Sequence, residues 1–472
     1  MIRQIVYREI LENLVSFRFV LSLLLAVLLF GAGGFVFAAQ HSHALRDHWR
    51  DTNENLSSLS KETEQLCAIA VHDQTVYRRP KLLSLCAEGF EEYFPDSFGF
   101  NAFSMHLPVF RSRGDFNAGR SNNMDWVFII SMILSFIALV FTYDSICGER
   151  ESGTLRLILS GAIPRHAILL GKYAGAMLTL GIPLLVGVFV NLLIVIASKD
   201  VMVSPDDWAR ILAIVLLSFL YLSVFVLLGM LVSSQTSHSA NSMVILLLAW
   251  VGLVVLIPSS GRVISDAVYQ SPTQGELARR LGEMERRLQE DQNKGKYGPS
   301  AGFFARGKPP ANPQGTAQWA NARDDARNRL YEDHLRRMIA PAVFGRVVTR
   351  MSPTVLYQCA SEVLAGAGVA RFQSLHQQIK RYQLDLREYV RSKDAEDPES
   401  LHFLCGHYQA IDEWGVISKK PVDFDAVPKF HERDLPLGAS LKSAIWDIGL
   451  LVVFNLIFFA GCFVSFLRYD VR

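Results

Sequence analysis

Six apolar runs constrain this chain more than any other feature. They cover Phe19–Ala39, Trp126–Tyr143, Ala174–Ala197, Ile211–Val232, Ala240–Pro258 and Ile448–Leu467, and none contains a charged side chain. Each has about 18–24 residues, the helical length that crosses a hydrocarbon core of about 30 Å. A soluble helix usually turns one charged face to water. A bilayer instead demands a backbone that satisfies its own hydrogen bonds, and a helix does so. The runs therefore predict six transmembrane helices in an all-α polytopic membrane protein. The first run exceeds the apolar region of about 7–15 residues typical of a signal peptide. It is expected to be a retained span, which makes the number of spans even.

Lysine and arginine near the span ends set the orientation. Arg3, Arg8 and Arg18 precede the first span, Arg468 and Arg472 follow the last, and Arg150, Arg156, Arg165 and Lys172 lie between the second and third. The loop Ser198–Asp207 carries Lys199 against Asp200, Asp206 and Asp207. This bias predicts a multi-pass protein with both termini in the cytoplasm. The expected division is an amphipathic interfacial helix over 1–18, spans at 19–39, 126–143, 174–197, 211–232, 240–258 and 448–467, a cytoplasmic link at 144–172 and a tail at 468–472. Segments 40–125 and 259–446 then lie outside and form a large, mainly helical extracytoplasmic domain built from two loops. In the first 18 residues Ile2, Val6, Ile10 and Leu14 form one i,i+4 row, which suits a helix lying on the inner leaflet. A formal net charge of +2 gives no nucleic-acid footprint.

Within the outer segments, Gly275–Gln292 places Leu277, Leu281, Met284 and Leu288 at steps of three and four, the period of an amphipathic helix. Further helices are expected over 317–340 and 374–393, with a Gly/Pro-rich loop at 294–315. Four cysteines fall outside: Cys67, Cys86, Cys359 and Cys405. An oxidising compartment permits disulfides there. The pairings within one segment each, Cys67–Cys86 and Cys359–Cys405, are preferred, with buried free thiols as the alternative. His402, Cys405 and His407 are close in sequence but match no standard metal spacing, and no metal site is expected.

The link Asp144–Lys172 reads DSICGERESGTLRLILSGAIPRHAILLGK. Glu149, Arg150 and Glu151 open a polar turn. Leu155, Ile158 and Leu159 follow at helical spacing, Ser160-Gly161 ends the helix, and Pro164 suits the first turn of the next. The pattern predicts a short amphipathic helix over Glu149–Ser160 at the membrane surface, then a re-entry. Glu149-x-x-x-Gly153-Thr154-Leu155, Leu159-Ser160, Pro164-Arg165 and Gly171-Lys172 together resemble the permease subunits of type-2 ATP-binding-cassette exporters. Met351–Arg371 is similar to their long-outer-loop subgroup. The order of spans and loops is also similar along the whole chain.

That resemblance implies that the link holds a coupling helix docking on a separate ATPase. It assigns the docking contacts to Glu149, Arg150, Glu151, Gly153, Thr154, Leu155, Arg156, Ile158 and Leu159. Apolar members would fill a groove while charged members line the rim. It makes residues 1–18 an elbow helix beside that dock, and it places the protein in a bacterial inner membrane. The implied partners are an ABC ATPase dimer, a second permease that is identical or a sibling, membrane lipid and a periplasmic protein.

The chain has no G-x-x-x-x-G-K-[ST] phosphate loop, H-E-x-x-H or G-x-S-x-G motif. No cofactor is expected on it; ATP and Mg belong on the ATPase. The expected role is export of a lipidic, amphipathic or peptide cargo, since no span holds a charge that would bind a small ion. Two other readings stay open. One is an ATPase-driven envelope scaffold or mechanotransmitter. The other is a membrane-anchored enzyme using Asp324-Asp325 or Glu332-Asp333, which are expected as surface ion pairs.

Overall fold

A computed structural model of the chain describes residues 2–89, 91, 94–109, 124–155, 164–198, 201–269, 272–299, 311–406 and 415–468. Six helices are long and apolar enough to cross a membrane. In chain order the helices are α1 (Ile2–Leu14), α2 (Phe17–Lys61), α3 (Leu66–Val71), α4 (126–142), α5 (Cys147–Glu151), α6 (Arg165–Ala197) and α7 (Pro205–Gln235). They continue as α8 (Ser239–Val268), α9 (Gln274–Asn293), α10 (Pro313–Thr349), α11 (Pro353–Leu364), α12 (Gly368–Asp394) and α13 (Leu437–Leu467). The expected spans fall on α2, α4, α6, α7, α8 and α13.

Two hydrophobic cores organise these elements. The first gathers the six long helices with residues 83–87 and α11. The second gathers residues 59–76 and 94–105 with parts of α10 and α12 and with Cys405, Val416, Ile417 and Val427. It includes an antiparallel pair, β1 (Gln74–Tyr77) and β2 (Ser97–Phe100), in which Gln74 faces Phe100 and Tyr77 faces Ser97. Helix α2 belongs to both cores. Its Phe19, Ala26 and Phe30 pack in the first and its Leu59 in the second. The Ser16 hydroxyl starts it by accepting from the Phe19 amide. It then runs unbroken for 45 residues, about 67 Å at 1.5 Å per residue.

Polar side chains in the spans tie helices together. Asn191 on α6 accepts from Trp126 Nε1 at 2.9 Å and donates to the Phe30 carbonyl at 2.6 Å. The α2–α6 seam is tight there, since a Cβ on Gly34 would lie 2.9 Å from Asn191 Nδ2. Asn191→Leu would strand the buried indole N–H. It is expected to lower bundle stability by about 1–3 kcal/mol, read as a lower detergent melting temperature than that of Asn191→Gln.

Helix α11 departs from the uniform outer segment expected over 259–446. It lies inside the first core, with Tyr357 stacked on Tyr221 of α7 at 4.5 Å. Ser218 and Tyr357 share a 2.8 Å hydroxyl contact, and Thr354 meets Tyr221 at 3.0 Å. Its N-terminal neighbour Ser352 donates to the Leu253 carbonyl. That carbonyl lies in a π-helical stretch of α8, Val251–Leu256. Tyr221 also bonds the Ser131 carbonyl in the matching stretch of α4, Ile129–Leu134. Such widened turns loosen the regular ladder, and here two of their carbonyls accept side-chain hydroxyls. The apolar signal missed α11 because it has 12 residues and mixes Thr354, Gln358, Ser361 and Glu362 among its apolar positions.

The preferred disulfides are corrected. Neither Cys67–Cys86 nor Cys359–Cys405 is bonded. Cys67 and Cys405 pack in the second core, Cys86 packs in the first, and Cys359 sits on α11. Each expected pair is thus divided between different packing environments.

Candidate docking site

The link begins where α4 ends and is held from two sides. On one side Arg18 of α2 reaches Asp144 Oδ2 at 2.9 Å and the Tyr143 hydroxyl at 2.8 Å. On the other, the Ser233 hydroxyl near the end of α7 accepts from the amides of Ile146 and Cys147, both at 3.0 Å. It thereby satisfies amides that a helix start leaves free. Helix α5 follows. Its Arg150 bonds the Thr236 carbonyl at 3.4 Å, and Glu151 accepts from His238 Nδ1 at 3.1 Å and from the Ser239 amide at 3.2 Å.

The fourth fastening is buried. Lys172 on α6 places its ammonium 2.7 Å from Glu9 of α1 and 2.8 Å from Glu149 of α5. Helix α1 approaches α6 closely because glycines line the contact. A Cβ on Gly171 would lie 2.7 Å from Ile5, and one on Gly175 would lie 2.7 Å from the Glu9 Cβ. At the re-entry, Arg165 donates to the Leu467 carbonyl at 2.7 Å. A cation there suits the carbonyl end of α13.

The expected continuous helix over Glu149–Ser160 is interrupted. Helix α5 starts earlier, at Cys147, and stops at Glu151. Gly153 then takes φ +74°, the left-handed region that favours glycine. No atom lies within 4 Å of where its Cβ would stand. Glu151, Ser152, Gly153 and Thr154 are exposed and form a tip where α5 ends.

The nine expected docking residues therefore divide. Glu151, Gly153 and Thr154 lie on the exposed tip, and Arg150 is half-buried beside it. Leu155 is 1% exposed and packs into this chain's own core, so it faces away from an external groove. Glu149 is engaged with Lys172. Arg156, Ile158 and Leu159 lie outside the described residues. The sequence reading missed Glu9, Ser233 and the pairing of Lys172, which it used only to mark orientation. A lysine set between Gly171 and a long apolar helix is itself a signal, because an unpaired charge there would be costly.

The other expected clusters resolve simply. His402 Nδ1 lies 3.1 Å from Asp394, and His407 lies outside the described residues. Asp333 pairs with Arg280 and Arg337, and Glu332 with Lys380, as surface contacts. Asp324 differs from expectation. It is 2% exposed and lies against Arg327 and Arg323. Burial raises its carboxyl above the usual range, partly offset by the two arginines.

Six helices of this length and composition fit a polytopic membrane protein. The chain belongs to the ABC-2 family of transporter proteins, whose model matches residues 3–471. Membership of this family of transporter proteins agrees with the six long apolar helices. Among its relatives is a probable ABC transporter permease protein NosY of Stutzerimonas stutzeri. That protein is 42% identical over 59 residues, which are 12% of this chain and 21% of the relative. The protein of the same name in Pseudomonas aeruginosa is 41% identical over 59 residues, 12% of this chain and 22% of its own. The chain spans about a fifth of the length of these curated relatives.

Proposed function

We propose that this chain is the membrane permease through which a separate ATPase drives export of a lipidic, amphipathic or peptide cargo. The tip Glu151–Thr154 docks on that ATPase from the cytoplasm. Both termini share that side, and the second core projects outward from a bacterial inner membrane. ATP and Mg bind the ATPase dimer, and a second permease, identical or a sibling, completes the pathway. The observation that carries this reading is the contrast within the link. The stretch Asp144–Glu151, with Lys172, is fastened to α1, α2, α6, α7 and the α7–α8 turn, while Ser152, Gly153 and Thr154 stand exposed without such ties. A surface built to receive a push needs a rigid mount and an accessible face.

A second reading, mechanical transmission to an envelope partner, draws support from α2. This one helix contacts the link through Arg18 and ends in the second core.

Gly153→Trp tests the dock. It adds bulk to the tip and strain of about 1–2 kcal/mol from the left-handed backbone. Gly153→Ala adds the strain without the bulk. Gly153→Trp is expected to weaken co-purification with the ATPase by roughly tenfold or more, equal to about 1.4 kcal/mol, and Gly153→Ala much less. Equal recovery of the ATPase with wild type and Gly153→Trp would remove the tip from the interface.

A further inference from the structure

Lys172 has an arrangement that the dock alone does not use. Its side chain is 6% exposed, and its single ammonium is shared by carboxylates from two different elements. The second oxygen of Glu149, Oε2, is buried with no hydrogen-bond partner. Arg8, the neighbouring cation on α1, is committed to Glu12 at 2.6 Å on the exposed face. The clasp therefore holds one positive charge between two negative ones. Loss of the lysine would leave the two carboxylates facing each other with no cation between them.

We propose that Lys172 is a positioning residue that makes α1, α5 and α6 move as one body when the link is displaced. The inference rests on the docking reading above, because the displacement comes from the docked ATPase. Three observations support it. The clasp joins three separate elements at one atom, Nζ. Helix α1 lies flush on α6 at Gly171 and Gly175, immediately before and one turn beyond the lysine. The link segment that carries Glu149 is itself fixed to the α7–α8 turn, so it moves as a unit. A push on the tip is then passed to α1 through Glu149, Lys172 and Glu9. Without Lys172 the link could slide past α1 and dissipate the push.

The test uses the full permease–ATPase complex in lipid nanodiscs. Spin labels go on Tyr7→Cys of α1 and Ile457→Cys of α13, which are 65% and 58% exposed; all six native cysteines are buried. In the wild type the distance between them is expected to change when ATP binds. Lys172→Met is expected to reduce that change by more than half, and Lys172→Arg to restore it, since arginine can reach both carboxylates. Glu9→Leu cuts only the arm to α1, since Glu9→Gln would keep a carbonyl acceptor for the ammonium, and Lys172 stays paired with Glu149. Glu9→Leu is expected to lose the α1 movement even if Lys172→Met fails to fold. A full change in Lys172→Met or in Glu9→Leu overturns the proposal. So does loss in Lys172→Arg at an unaltered melting temperature, because a merely space-filling lysine would behave that way. Failure of the wild-type chain to bind an ATPase would overturn the docking reading itself.

Discussion

Arg371→Met is expected to destabilise the second core by about 3–5 kcal/mol, the cost of removing one partner from a buried charge cluster. Arg371, on α12, is 5% exposed. Its Nη1 meets Glu91 at 2.9 and 3.1 Å, its Nε meets Glu432 at 3.0 Å, and its Nη2 donates to the Arg79 carbonyl. Arg79 and Glu91 come from the segment before α4, and Glu432 from the stretch just before α13. One guanidinium thus joins chain segments separated by most of the sequence. Methionine matches the volume but leaves two buried carboxylates with only longer ion pairs, Glu91 to Arg78 at 3.8 Å and Glu432 to Lys81 at 4.0 Å. Hydrogen exchange along α12 is expected to speed up accordingly, and Arg371→Lys to recover only part, because an ammonium cannot match the guanidinium fork.

The pH dependence of this effect has a defined sign. Burial alone would push Glu432 up, but Arg371 and Lys81 prevail and hold it below the usual carboxylate range. A depressed folded-state value contributes stability above the unfolded value of about 4.3. That contribution is lost as pH falls through the folded value. The wild type should therefore lose stability on acidification. The difference between wild type and Arg371→Met should shrink below about pH 4, since protonation relieves the stranded carboxylates in the variant. A difference that stays constant from pH 7 to pH 3 would mean that Arg371 acts through packing alone.

The features legible in the sequence were those written in period and length. Charge-free runs located all six long helices, because a bilayer imposes its thickness on composition. Helix α9 was legible from apolar residues at steps of three and four. Features that depend on tertiary pairing were not. Helix α11 is too short and too polar to announce itself as part of the bundle, since its Thr354 and Tyr357 find their partners Tyr221 and Ser218 on a distant helix. Leu155 had the right spacing for an external groove, but spacing does not say which side of a link the core lies on. The Glu9–Lys172–Glu149 clasp joins positions 163 and 23 residues apart, and no local pattern connects them. The cysteines show the same limit: membership of one loop did not give membership of one core.

Asn53→Pro is expected to uncouple the second core from the link without unfolding either core. Helix α2 has 45 residues and a length of about 67 Å, so about 37 Å extends past a hydrocarbon core of about 30 Å. Asn53 is exposed on that extension. A proline there removes one backbone hydrogen bond and clashes with the preceding turn, at a cost of about 3 kcal/mol. Each core keeps its own packing, since Phe19, Ala26 and Phe30 lie well before the break and Leu59 lies beyond it. Asn53→Ala is the control for loss of the side chain. Distances between spin labels at the link and at the far end of α2 are expected to broaden in Asn53→Pro and stay narrow in Asn53→Ala. The size of the functional loss then separates the two readings of the chain. If cargo passes between paired bundles, ATP-dependent export should survive largely intact, because the pathway lies beside the first core. If the chain works as a lever on an envelope partner, export or partner activation should fail while the ATPase stays bound. The reason is that α2 both touches the link and ends in the second core.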